Sequence, residues 1–165
     1  MRYFDAGAEP RVALSWVALL RVMLGVMFLT TWLSNLIKGY YSADGLQLFF
    51  VEVFPQSANP LGWYAAFIEG TILPIREVFA PFQLVTEFLI GAFLLAGLLT
   101  PLTSLAGGFF ILNTFLATFG HDWPWSYAMI LGILFVVFFT RAGRSLGVDA
   151  WLVERRGEPG FYLWR

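Results

Sequence analysis

Glu87 is the one charged residue in the apolar stretch Phe79 to Thr100, FAPFQLVTEFLIGAFLLAGLLT. That stretch is long enough to cross a bilayer, which takes about 20 residues. A carboxylate in such a setting marks a functional site unless a cation offsets it. Arg21, in the first apolar stretch, is the cation with the right placement. Counting from the ends of their segments, Arg21 lies roughly 14 Å deep, Glu87 roughly 18 Å and Asn113 roughly 17 Å, at 1.5 Å per residue. These depths predict an Arg21–Glu87 ion pair near mid-membrane, with Asn113 and Gln83 within reach. Two readings stay open. The pair fixes helix register, which is the better-attested use of a buried ion pair. Or it lines a polar pocket for a ligand head group or a proton. A paired Glu87 would stay charged and move protons poorly. If Arg21 snorkels away instead, Glu87 is free to carry one.

His121-Asp122 is the second constellation. A carboxylate can orient an imidazole, and histidine passes protons near neutral pH. Trp123, Trp125 and Tyr127 surround it, so a solvated turn among interfacial aromatics is the plainer reading. Other chemistries lack their residues. One histidine cannot ligate a haem from both faces or build a multi-histidine metal site, and no metal is expected. With no cysteine there is no disulfide, thiolate site or thiol nucleophile. No serine sits in a nucleophile elbow, and the glycines follow no phosphate-loop pattern. A net charge of −1 gives no footprint for nucleic acid.

These residues need helices to hold them. The chain is 59% hydrophobic and 13% charged, with a mean hydropathy of +0.73, too few charges to solvate a soluble domain of this size. An integral membrane protein follows: an all-α, four-helix transmembrane bundle in one domain over residues 1–165. Apolar runs place spans at about 12–37, 78–99, 102–119 and 126–140. Thr100-Pro101 reads as the tight turn between the second and third. In the second span Ala80, Gln83, Glu87 and Gly91 share one face, which should turn inward, its small residues admitting a neighbouring backbone. In the first span Arg21, Gly25, Phe28 and Asn35 lie on nearly one face. Trp32, Asn35 and Lys38 suit its headgroup end. Between the first two spans, GLQLFFVEVF and WYAAFIEGTILPI are interrupted by Glu52, Glu69 and Pro74, and read as interfacial segments in a long connection. Asn59-Pro60 is a helix start.

Four spans put both termini on one side. That side carries Arg2, Arg11 and five tail arginines, against Lys38 and Arg76 opposite. The bias toward basic residues makes the termini cytoplasmic.

Three segments resemble the DoxX/DoxD family of small four-helix membrane proteins. They are Arg21-x-x-Leu24-Gly25-x-x-Phe28-Leu29, then Glu87-x-x-x-Gly91 through Leu94-x-x-Gly97-Leu98-Leu99-Thr100, then Gly143-Arg144-Ser145-Leu146 with Asp149-Ala150-Trp151-Leu152. The long outer connection is larger than in compact members. The resemblance implies a subunit of a quinone-linked oxidoreductase in a prokaryotic cytoplasmic membrane. Electrons from a reduced sulfur compound such as thiosulfate would pass to membrane quinone, with a second protein subunit or further copies of the chain as partners and lipid around it. Quinone is the implied cofactor, since no redox centre is encoded. In that picture Glu87, Arg21 and His121 do the chemistry, while Asn113, Gln83 and Trp32 line the quinone site. A non-catalytic anchor or assembly subunit and a small lipid or solute carrier are the alternatives.

Overall fold

The computed structural model describes residues 14–157 and is helical throughout, with no strand among them beyond an isolated bridge between Phe119 and Asp122. The polar lead, the start of the first predicted span near Val12, and the tail residues Glu158 and Arg165 lie outside the described residues. Four long helices carry the fold: α1 (Leu14–Ile37), α4 (Arg76–Ala96), α5 (Thr100–Ala117) and α6 (Pro124–Thr140). Short helices α2 (Ala43–Leu48) and α3 (Gly62–Phe67) lie between α1 and α4, and α7 (Val148–Arg156) follows α6. Three helical stretches are long and apolar enough to cross a membrane: Leu14–Ile37, Gly62–Ala96 and Thr100–Ala117. Helix α6 is apolar but has 17 residues.

The four long helices close a ring in which α1 packs on α4 and α6, and α5 packs on the same two. Leu24, Phe28, Ile90, Leu94, Ile111 and Leu134 fill its centre. The outward faces stay apolar: Met23, Phe82, Phe109 and Phe135 are all more than half exposed, as suits helices solvated by lipid rather than water. Below, "lower" denotes the end holding Leu14 and "upper" the end holding Ile37.

Small residues set how closely α1 and α4 approach. A methyl group at Gly25 would stand 2.6 Å from the Leu95 backbone nitrogen, and one at Gly91 would stand 3.1 Å from that of Leu29. Each glycine therefore admits the other helix's backbone, which is how helices associate where no water drives them together. Gly25→Leu should push the pair apart and cost about 1–3 kcal/mol, the usual range for overpacking. Thermal unfolding in detergent checks this, and an unchanged midpoint would show that the contact does not hold the pair.

This contact also fixes the register. Gly25 faces Leu95, Leu29 faces Gly91, and Trp32 lies against Leu84 and Phe88. Each step up α1 is a step down α4. Arg21 thus falls beside the lower end of α4, and Glu87 falls near Leu33, about 12 residues or roughly 18 Å higher. The lower turns of α1 reach past the end of α4 to contact the short turn Ala142–Arg144.

The upper end departs from the expected pattern. WYAAFIEGTILPI joins α4 without an intervening loop, through a π turn at Ile68–Ile72 and a 3₁₀ turn at Leu73–Ile75. Thirty-five residues would extend roughly 50 Å if straight, well past the ~30 Å hydrocarbon layer. The stretch breaks at Ile75, which leaves helical geometry (φ −104°, ψ 17°) just after Pro74. The upper part folds over the bundle, where Leu46, Phe50, Tyr64, Ile68, Ile72 and Ala117 form a second core. Helix α3 begins at Gly62, two residues beyond Pro60, because the Asn59 side chain is used otherwise. Its oxygen accepts from the Leu61 N–H, and its amide donates to the last carbonyls of α5, Leu116 and Ala117. Thr100-Pro101 is the first turn of α5 rather than the connection before it, with proline where its missing N–H does no harm. The tight turn is Gly97–Leu99.

Candidate functional site

The predicted Arg21–Glu87 ion pair does not form. Both side chains are fully buried, but Arg21 lies against the lower end of α4 and Glu87 about halfway up that helix. The depth estimate failed because it assumed that the lower ends of α1 and α4 are level, and the register offsets them. Two polar sites result.

The lower site is a clasp. Arg21 donates from Nη1 to the carbonyls of Leu94 and Leu95 (2.9 Å to Leu95), and from Nη2 to the carbonyl of Leu146 at 3.0 Å. The first two are carbonyls of the last turn of α4, where the helix dipole also favours a cation; Leu94 accepts from the Gly97 N–H as well. Gly97 ends that helix in a left-handed conformation (φ 68°) that glycine adopts without steric cost. A side chain there would strike the guanidinium. Asp149, in the first turn of α7, completes the clasp. Its two carboxylate oxygens accept from the N–H groups of Leu99 (2.7 Å) and Thr100 (2.8 Å), orphan donors at the start of α5. Its own N–H donates to the Gly97 carbonyl. Asp149 also attracts Arg21 through its charge. The three non-glycine residues with positive φ among the described residues, Leu99, Arg141 and Leu146, are all at this end. Leu99 is held by Asp149 and Leu146 by Arg21. Such backbone persists only where its surroundings fix it. The clasp thus joins residues from all three segments that carry the family resemblance.

The upper site holds Glu87. Tyr41, in the turn after α1, donates its hydroxyl to the carboxylate at 2.6 Å. The Asn35 amide, in the last turn of α1, lies within hydrogen-bonding reach of both groups. These partners are neutral, and no cation touches Glu87 among the described residues. Burial, and then the adjacent Glu87, push the Tyr41 hydroxyl above its ordinary range, so it keeps its proton and acts as a donor. Ala80 and Gly91 are buried on the Glu87 face as the helical spacing requires. Gln83, one turn above Glu87, is half-buried on that face. The sequence held one sign of Asn35, its place on the Arg21–Gly25–Phe28 face. It held none of Tyr41, which lies in a connection where no periodicity says which way a side chain turns.

The remaining candidates are engaged elsewhere. Asn113 accepts from the Tyr64 hydroxyl at 2.8 Å and donates to the Phe109 carbonyl, tying the upper cap to α5. The Trp32 indole donates to the Leu84 carbonyl at 3.1 Å, with Phe88 5.0 Å from its ring. His121 is exposed, its Nε2 3.3 Å from the Pro55 carbonyl and its ring edge-on to Phe54. Asp122 does not orient it. That carboxylate accepts from the Tyr127 hydroxyl at 2.6 Å, one turn into α6, and Tyr127 in turn accepts from Thr118. Helix geometry explains the preference, since Tyr127 reaches back to Asp122 from the next turn. No group of three or more metal-ligating side chains occurs among the described residues. In comparisons with known proteins, no family model, curated protein or solved structure matches the chain.

Proposed function

We propose that this chain is a four-span subunit of a quinone-linked membrane oxidoreductase, of DoxX/DoxD type, with Glu87, Tyr41 and Asn35 at its quinone site. One observation carries the reading: a buried carboxyl hydrogen-bonded to a phenol, beside an amide, in an apolar helix ring with no cation attached. That donor set fits a quinone head group. Asn35 offers a neutral donor to a carbonyl oxygen, Tyr41 spends its one O–H on the carboxyl, and Glu87 holds or releases a proton beside the head group. When bound, quinone supplies the acceptor, taking two electrons and two protons to become the quinol. The electrons come from a partner oxidising a reduced sulfur compound. Glu87 would pass one proton to the head group and, once reprotonated from the aqueous side, the second, while Tyr41 fixes the carboxyl's orientation and Gln83 lines the approach from above. Arg21 does not fit a role in chemistry, because both its terminal nitrogens hold backbone carbonyls. In this reading α6 is the fourth span, at the short end of the usual range of about 17–25 residues. The lower end with its arginines is cytoplasmic and the upper cap faces outward.

A second reading, the non-catalytic anchor or assembly subunit, draws support from the clasp. There Arg21 and Asp149, charged residues of the first and third resembling segments, hold backbone groups of the second and serve the fold itself. Purification in mild detergent, followed by quinone extraction and identification of co-purifying proteins, separates the two. The redox reading expects about one quinone per chain, lost in a Glu87→Gln variant that still folds. A stoichiometric protein partner without quinone would sink it in favour of the anchor.

A further inference from the structure

Between the lower end of α4 and helix α7 lies an open groove of about 520 Å³. Ala96 and Gly147 are small and leave it room, while Leu146, Val148 and Trp151 bring apolar surface to it. That surface is not covered: Leu146 is 79% exposed and Trp151 49%. The Arg155 guanidinium lies 4.4 Å from the centre of the Trp151 ring, in cation–π contact, and both Arg155 and Arg156 are exposed. Among the described residues, Asp149 is buried in the clasp and Glu154, which lines the groove, is the carboxylate near these arginines.

We propose that this groove binds an anionic phospholipid, with the phosphate on Arg155 and Arg156 and the top of an acyl chain along Leu146, Val148 and Trp151. Three observations fix the occupant. Ala96 ends an apolar helix of membrane-spanning length, so the groove opens at headgroup depth. A tryptophan beside arginines is the side-chain pairing of that layer, apolar toward the chains and cationic toward the phosphates. Asp149 pins the first turn of α7 to the turn between α4 and α5, so the helix is held in place to form the wall without a lipid. The inference rests on the helices crossing a membrane and is independent of the quinone reading.

The full chain, delipidated in an uncharged detergent, is mixed with phosphatidylglycerol or phosphatidylcholine. Binding is read by native mass spectrometry and by the shift in unfolding temperature. Each arginine near an anionic headgroup strengthens binding about fivefold. Phosphatidylglycerol should therefore bind the native chain about 25-fold more tightly than it binds the Arg155→Gln/Arg156→Gln variant. Phosphatidylcholine should bind both alike. Trp151→Ala, with the arginines intact, should weaken both lipids. Equal retention of the two lipids by the native chain would overturn the proposal, as would a preference that survives the double substitution. Inorganic phosphate reproducing the full temperature shift would also overturn it, identifying a phosphate site rather than a lipid groove. A co-purifying protein that shields Trp151 from labelling would assign the groove to a protein partner instead.

Discussion

Arg21→Met should destabilise the protein by about 3–5 kcal/mol, the range for stripping one partner from a buried charged network. The substitution keeps the apolar stem and removes the guanidinium. The carbonyls of Leu95 and Leu146 then lose the guanidinium donor, and that of Leu94 keeps only the Gly97 N–H. Each bond to a charged group is worth about 1.5–3 kcal/mol, and the three are not additive. Asp149 meanwhile loses the attraction of the Arg21 charge. Arg21→Lys should recover a minor part, since one ammonium cannot span carbonyls on two separate elements as the planar fork does. The measurement is equilibrium unfolding in detergent, followed by helical signal. Pairing Arg21→Met with Asp149→Asn tests the coupling. If the two losses simply add, the groups act independently and the clasp is not one network. A loss under about 1 kcal/mol for Arg21→Met alone, as for an ordinary surface ion pair, would contradict the geometry.

The second large effect concerns turnover. On the proposed quinone reading, Glu87→Gln should lower quinone reduction by the complex about 10²-fold or more, the usual contribution of a positioned proton donor. Glutamine has nearly the same shape and can still accept from Tyr41, so folding and assembly should survive. What it cannot do is exchange a proton. Tyr41→Phe should cost less, because the carboxyl remains and only its orientation relaxes. Tyr41 itself should not set the pH profile. Its hydroxyl is pushed upward, so the Tyr41–Glu87 bond is fully present below about pH 10, the ordinary tyrosine value. Its contribution is lost only as pH rises through the higher value of the folded state. Full turnover in Glu87→Gln would leave the cluster with a structural role and favour the anchor reading.

The sequence carried the helices and one of the faces. Apolar length alone located three membrane-length stretches, and spacing on α4 placed Ala80, Glu87 and Gly91 inward together. It did not carry the offset between α1 and α4, and from that one gap came the mistaken ion pair. Depth counted along a single helix says nothing about how far its neighbour is slid. The slide is set by Gly25 and Gly91 receiving each other's backbone, a contact between segments more than 60 residues apart. Tyr41 was hidden for a related reason, since it comes from a turn. Asp149 was visible as part of a motif, but its work of capping α5 depends on α7 folding back beneath the bundle.

The clasp also bears on how the chain is made. Arg21 emerges from the ribosome early, and its bond to Leu146 spans 125 residues of sequence. At about 5–20 residues per second, translation of that interval takes roughly 6–25 s. For that time the guanidinium lacks its Leu146 partner, and until Leu94 and Leu95 are made it lacks all three carbonyls. Its charge must stay in water at the membrane surface or inside the insertion machinery. The clasp closes only when Leu146 and Asp149 arrive, so the bundle locks after all four long helices have been made. A nascent chain halted before Leu146 would remain unlocked, open to the quality-control proteases that survey exposed membrane charges.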